Sequence, residues 1–318
     1  MRLSGVGEFG LIKKLRDMCA GSPPGLIAGI GDDAAAVRTG NRNILVTSDM
    51  MIEGVHFDLS FTTFYQLGYK FLAVNISDIF AMGGRPGYFF ASLGIPRSFR
   101  TADIEELYTG IKKIADESGV TVAGGDTCAS GAGFVLSGTL TGEAKRVIKR
   151  SGAKKGDGVF VTDTLGDSAM GLRLLKRRGR RVRSFSSSAP RLKLMKRHLM
   201  PEPRPAGNLS AITSMIDVSD GLLADLGHIC DESRVGAVIY RDKIPVSAEL
   251  AGTAKSMNID PVELALRGGE DYALLFTAPP GIRTRAFRIG EITGKGRFII
   301  DEKGRKAVFK SEGYEHFR

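Results

Sequence analysis

Apolar residues along this 318-residue chain fall into two kinds of run. Short ones, Ile44-Leu45-Val46, Val120 to Ala123, Phe134 towards Glu143, Val159 to Thr162, Met215-Ile216 and Tyr272 to Phe276, predict buried strands. Longer ones predict helices at Leu11 to Cys19, Tyr65 to Met82, Thr101 to Ser118 and Ala169 to Lys176, and again where Leu222, Leu223, Leu226 and Ile229 recur at helical spacing. The stretch Tyr65 to Met82 is apolar on every side over most of its length, which predicts a helix buried all round. Pro201, Pro203 and Pro205 predict a stiff entry to a further helix, and the tail alternates short strands at Ala286 to Ile292 and Arg297 to Asp301. A basic connector, Lys145 to Lys155, marks a boundary between two domains, 1–148 and 149–318.

Acids and hydroxyls stand where these apolar elements stop. Ile44 to Val46 runs into Thr47-Ser48-Asp49, Val120 to Ala123 into Gly124-Gly125-Asp126, and Met215-Ile216 into Asp217-Val218-Ser219-Asp220. The glycine pair would let backbone N–H groups approach phosphate oxygens. Asp78 lies inside the apolar helix, where a carboxylate needs a cation: a metal, or a neighbour such as Lys70 or Arg85. Of the adjacent Asp32 and Asp33, extended backbone would point one towards a shared site and the other away, unless the pair is only an acidic turn. Asp220 has a second reading as a helix cap. His56 is either structural or a substrate contact, and Gly268-Gly269-Glu270-Asp271 is either an edge turn or a polar contact. Asp167 and Ser168 are expected to cap the helix that follows them.

Histidine and cysteine do not cluster at zinc spacing, whereas an all-oxygen, glycine-flanked set suits Mg²⁺ holding polyphosphate. Phosphoryl transfer needs positioning and charge neutralisation more than a strong nucleophile. The chain has no G-x-x-x-x-G-K-[ST], H-R-D or D-F-G, and its Gly5-x-Gly7-x-x-Gly10 follows no strand that could feed a dinucleotide-binding unit. The residues alone therefore indicate a Mg²⁺-dependent ATP enzyme of unfamiliar type.

Composition adds little to this. The net charge of +10 includes Lys176 to Arg183 (KRRGRRVR), either a solvated helix end or a nucleic-acid patch. No aromatic is interleaved there, so nucleic acid is not expected, and a basic protein also suits small anionic substrates. Cys19, Cys128 and Cys230 suggest no disulfide framework, and no run approaches the roughly 20 apolar residues of a membrane span. A reducing cytoplasm is the expected compartment.

The blocks GEFGLI, GIGDDAA, VTSDMMIEGVHF, KFLAVNISDIFAMGG, GGDT, KRSGAKKGD, LGDSAMGL, IDVSDGLLADLGHI and GGEDYALLF together resemble the thiamine-monophosphate kinase family, in the family's order and over nearly the whole chain. The resemblance implies the two-domain α/β fold of the aminoimidazole-ribonucleotide-synthetase-like superfamily, with an N-terminal domain that dimerises through its sheet and a C-terminal α/β domain closing over the nucleotide. It implies ATP-dependent phosphorylation of thiamine monophosphate to thiamine diphosphate, by direct in-line transfer with several Mg²⁺ ions. By position it makes Asp33, Thr47, Ser48, Asp49, Asp78, Asp126, Asp217 and Asp220 metal ligands, with Asp49 and Asp126 central. Tyr108, Gly125, Asp126, Arg150 and Ser219 look like ATP contacts, and His56, Glu270 and Tyr314 like substrate contacts. Asp163 stands where the family usually has Gly, and Lys176 to Ser188 matches no family motif. The alternatives are another ATP-dependent synthetase of the superfamily, although no reactive Cys and Lys occupy an N-terminal glycine-rich loop here, or a silent nucleotide- or RNA-binding protein.

Overall fold

The computed structural model describes residues 7–19, 21, 23–186, 188–310 and 313–314. Gly5 of the glycine motif and Phe317 near the end of the tail lie outside them. The first sheet is built from β1 (Leu26–Ala28), β2 (Ala35–Thr39), β3 (Arg42–Ile52), β4 (Arg85–Pro96), β5 (Thr121–Ser130) and β6 (Val135–Ala144), in the order β1-β2-β3-β6-β4-β5. Only the β4–β5 pair is parallel, and β1 and β5 are the edge strands. α1 (Glu8–Met18) precedes this sheet, and α2 (Phe64–Ala81) and α3 (Thr101–Ser118) join its inward residues in one core. Thr63 and Gln66 start α2 with a reciprocal capping box, at 3.2 and 3.0 Å. The two helices approach closely at Gly68 and Gly110, where an added Cβ would sit 1.9 Å from a carbonyl oxygen of the opposite helix.

The second sheet contains β7 (Gly158–Val161), β8 (Ser214–Asp217), β9 (Gly236–Tyr240), β10 (Leu274–Ala278), β11 (Phe287–Thr293), β12 (Arg297–Ile300) and β13 (Lys306–Val308), in the order β13-β12-β9-β11-β7-β10-β8. It is mainly antiparallel and carries α4 (Asp167–Arg178), α5 (Pro190–Leu199), α6 (Leu222–Ser233), α7 (Ala248–Ser256) and α8 (Pro261–Arg267). The fold is mixed α/β. α2 reaches both halves, because Ser77 near its end donates to Asp217 of β8 at 2.6 Å.

Several expectations are corrected. Thr47-Ser48-Asp49 does not leave a strand: β3 continues to Ile52, because β6 pairs with it from Asn43 through Ile52. Asp126 likewise lies in mid-strand, since β4 pairs with β5 as far as Ser130. Only Asp217 closes its strand. No helix follows the prolines: residues 200–213 are irregular, held by Arg146, whose guanidinium donates to the carbonyls of Leu209, Ser210 and Ile212 at 2.7, 3.0 and 2.7 Å. The strand expected from Tyr272 begins at Leu274, and β4 has no counterpart in the sequence reading. Asp163, which stands where the family usually has Gly, pairs with Arg197 at 2.9 Å.

Candidate functional site

The inward side of β3 carries Leu45, Thr47, Asp49 and Met51, because successive side chains on a strand alternate between faces. α2 lies against that side and brings Asp78 to Thr47, whose Oγ1 donates to Asp78 Oδ2 at 2.5 Å. Asp33, on the turn after β1, and Asp217, at the end of β8, complete a group: one carboxylate oxygen from each of Asp33, Asp78 and Asp217 lies within 4.8 Å of the others. Asp32 turns away and accepts the backbone N–H of Arg150 at 2.7 Å. Arg150 also donates to Asp33 Oδ1 at 2.7 Å. Neither base considered for Asp78 serves it: Lys70 pairs with Glu270, and Arg85 is exposed at the start of β4.

Burial and mutual repulsion push the carboxyls of Asp49, Asp78 and Asp217 up. Asp217 is raised to about 8 by burial and then by Asp33, and Asp49 to about 6 by burial. Asp78 is held well above the usual range by burial, Asp49 and Asp217. Such a group is stable as carboxylates only with a cation among them. Asp33 Oδ2 is buried with no hydrogen-bond partner, and every donor in the set is a hard oxygen. The residues present fit Mg²⁺.

A neighbouring group comprises Asp220, Asp225 and His228, again with ligand atoms within 4.8 Å. Asp225 is buried and accepts the N–H of Gly221 at 3.1 Å; the His228 ring lies 4.4 Å from that of Phe9, and burial lowers it to about 4. Sequence reading missed both residues, although three-residue spacing on a buried helix was a usable signal. The N-cap position of α6 is occupied by Gly221 rather than Asp220.

The loops 218–221 and 268–273 are hydrogen-bonded together: Glu270 N to Ser219 O at 2.8 Å, Tyr272 N to Val218 O at 3.0 Å, and Val218 N to Ala273 O at 2.8 Å. Glu270 and Tyr272 take left-handed backbone, φ 63 and 51, which non-glycine residues seldom adopt. The Glu270 carboxylate meets Lys70 Nζ at 2.6 Å and His198 Nδ1 at 3.2 Å. Burial pushes this carboxyl up, but Lys70, His198 and His56 outweigh it and hold the group below its usual value. His56 Nδ1 accepts the N–H of Ile52 at 3.0 Å. Tyr314 is brought beside Asp220, its N–H on Asp220 O at 3.2 Å. Asp271 takes the role expected of Asp167 and Ser168: its carboxylate accepts the N–H groups of Gly166 and Ser168, at 2.6 and 3.1 Å, at the start of α4. Lys70 and His198 were missed as partners of Glu270, although a lysine as the one basic residue of a largely apolar helix was itself a signal.

Two of the expected metal ligands stand elsewhere. Ser48 is exposed on the opposite side of β3, its Oγ 3.3 Å from Thr139 Oγ1. Asp126 is exposed on β5, in register with outward-facing Ser92 of β4, and its Oδ1 accepts the Thr127 N–H at 2.8 Å. Three strand spacings, roughly 14 Å, separate β5 from β3. Gly125 is required by packing, since a Cβ there would lie 1.8 Å from Ala91 O. Tyr108 is half-buried on α3 against the first core. In the basic stretch, Arg181 donates to Leu59 O at 2.8 Å and Val182 is buried.

Comparison with known proteins accords with this geometry. Residues 31–144 match the AIR synthase related protein N-terminal domain, and 154–303 the corresponding C-terminal domain. The thiamine-monophosphate kinase of Aquifex aeolicus (strain VF5) is 36% identical over 329 residues, covering 100% of both chains. That of Bacillus subtilis (strain 168) is 33% identical over 311 residues, 91% of this chain and 93% of its own. A solved structure, AaThiL complexed with AMPPCP and TMP, superposes with a TM-score of 0.88 at 35% identity, covering 99% of each chain. The chain belongs to the thiamine-monophosphate kinase family.

Proposed function

We propose that this thiamine-phosphate kinase transfers the γ-phosphoryl group of ATP to the phosphate of thiamine monophosphate, giving thiamine diphosphate and ADP. The observation that carries the reading is the convergence of Asp33, Asp78 and Asp217, with Asp49 beside them, around an unpartnered Asp33 Oδ2. The AMPPCP and TMP bound by the structural relative supply the substrate pair. Asp33, Thr47, Asp49, Asp78 and Asp217 would hold Mg²⁺, and Asp220, with Asp225 and His228 near it, would hold a further ion. When bound, Mg²⁺ neutralises the charge of two anionic reactants that otherwise repel.

The remaining roles fall to the chain. Arg150, half-buried against Asp33 with its buried Nε unpartnered, directs a fixed positive charge towards the phosphates. Ser219, Gly125, Asp126 and Tyr108 are assigned to ATP, and His56, Glu270 and Tyr314 to the thiamine moiety. An oxygen of the acceptor phosphate attacks the γ-phosphorus in line. A new O–P bond forms as the bond to the β-phosphate oxygen breaks, with ADP leaving and no phosphoenzyme. The acceptor is already anionic, so no strong general base is needed, and free thiamine is a poor substrate. Domains 1–148 and 149–318 provide the two walls. The outward residues Met50, Tyr88 and Phe90 on the first sheet support a homodimer through that face. Among the described residues no helix is long and apolar enough to cross a membrane, and three unpaired cysteines suit the cytoplasm.

The test is product formation from ATP and Mg²⁺ with thiamine monophosphate, thiamine or an aminoimidazole precursor, alongside Asp49→Ala. Thiamine diphosphate arising only from the monophosphate, and lost in the variant, is the expected result. No turnover of any thiamine compound, despite nucleotide binding, would overturn the reading.

A further inference from the structure

Lys70 is the only basic residue of α2 and is 4% exposed. A buried ammonium persists only when paired, and its partner comes from the other half of the chain: Glu270 Oε1 at 2.6 Å. The second oxygen of the same carboxylate lies 3.2 Å from His198 Nδ1, and His198 is itself buried on α5 with Ser168 Oγ 3.1 Å away. Burial drives His198 down to about 3, so the ring is neutral and contacts an ionised carboxylate as the Nδ1–H tautomer. Both oxygens are thus oriented from behind, while the side chain stays 29% exposed. A purely structural cross-link would leave neither the exposed edge nor the strained backbone at φ 63 accounted for.

We infer that Lys70 and His198 are positioning residues that fix the Glu270 carboxylate as an ionised acceptor facing the thiamine moiety. This rests on the assignment of Glu270 to the substrate in the proposed function. A carboxylate held this way suits a ligand group that donates a hydrogen bond or carries positive charge, such as the aminopyrimidine amine or the thiazolium. Neither positioning residue touches the substrate or the phosphates; both act through Glu270.

The experiment is steady-state kinetics of the full chain with Mg²⁺ and ATP, for Glu270→Gln, Lys70→Met, Lys70→Arg, His198→Asn and the double variant Lys70→Met/Glu270→Gln. Lys70→Met should raise KM for thiamine monophosphate about 10–100-fold, with kcat and KM for ATP changed less than about threefold. Lys70→Arg should recover part of the loss, and Lys70→Met should add nothing in the Glu270→Gln background. If Glu270→Gln raises that KM and Lys70→Met does not, the positioning role falls while the substrate assignment stands. If Glu270→Gln leaves it unchanged, the substrate assignment falls and the inference with it. Should Lys70→Met fail to fold by thermal melting, Lys70→Arg and His198→Asn decide: a KM unchanged in both overturns the inference, and a rise of about threefold or more in His198→Asn supports it.

Discussion

The two faces of the first sheet use alternate residues of the same strands and differ in nearly every property. Inward, Leu45, Phe89, Leu136 and Leu140 are fully buried or nearly so, and the polar exceptions Thr47 and Asp49 meet Asp78 beneath α2. Outward, Met50, Tyr88 and Phe90 are exposed beside Ser48 and Asp126. A one-residue step along β3 therefore separates a ligand in a charged, enclosed cluster from a hydroxyl on an open surface. A sequence block that looks like one ligand set, Thr47-Ser48-Asp49, is divided by the pleat. Asp126 joins chemistry at the inner cluster only if a second chain or a bound nucleotide bridges the faces.

The sharpest way to break this contrast is Asp78→Asn. It should lower kcat about a thousandfold or more, and abolish protection by Mg²⁺ against thermal unfolding, with the circular dichroism spectrum retained. Near-normal turnover would mean the inner cluster is not the site. Next in size is the outer face. Asp126→Asn should lower kcat/KM about 10–100-fold, and Tyr88→Glu with Phe90→Glu should give a monomer by light scattering with a comparable loss. A dimer that persists would remove the reason offered for the exposed aromatics.

A third expectation concerns pH in metal-free protein. The folded-state values of Asp49 and Asp217, about 6 and about 8, lie above those of an unfolded aspartate. Their contribution to stability is thus full below about pH 4 and is lost as pH rises through about 6 to 8. Melting in EDTA should accordingly move to lower temperature between about pH 5 and about pH 8, with a slope of at most about 1.4 kcal/mol per pH unit for each group. Mg²⁺ should flatten it, and Asp217→Asn should reduce it without metal. A slope that Mg²⁺ leaves untouched would argue against ion binding there. Smallest is Ser48→Ala, expected to leave kcat within about twofold, because its hydroxyl faces Thr139 rather than the carboxylates.

Legibility followed local pattern. α2 and α3 were visible because one is a long run apolar on every side and the other an amphipathic run, both longer than a strand. β4 was hidden: Tyr88-Phe89-Phe90 shows no alternation, since aromatic residues occupy both its covered and its open side. The extents of β3 and β5 were misjudged because a strand continues wherever a neighbour pairs with it, and β6 and β4 supply that pairing regardless of Asp49 or Gly125. Asp33, Asp78 and Asp217 were legible as anomalies, being acids against apolar elements. Lys70, His198 and Asp271 were not, because each is explained only by a partner far along the chain: Glu270 for the first two, and the start of α4 for the third.

By itself the sequence determined the kinds of element, the hard-oxygen chemistry and, through its ordered blocks, the family. Tertiary structure alone decided which acids meet, that Arg150 and not Lys70 faces the cluster, and that Lys70 and His198 clasp Glu270 from two sides. The physical reason is range. Periodicity and capping act over a few residues, whereas burial, repulsion between carboxylates and the partner of a buried charge are properties of a volume that distant segments share.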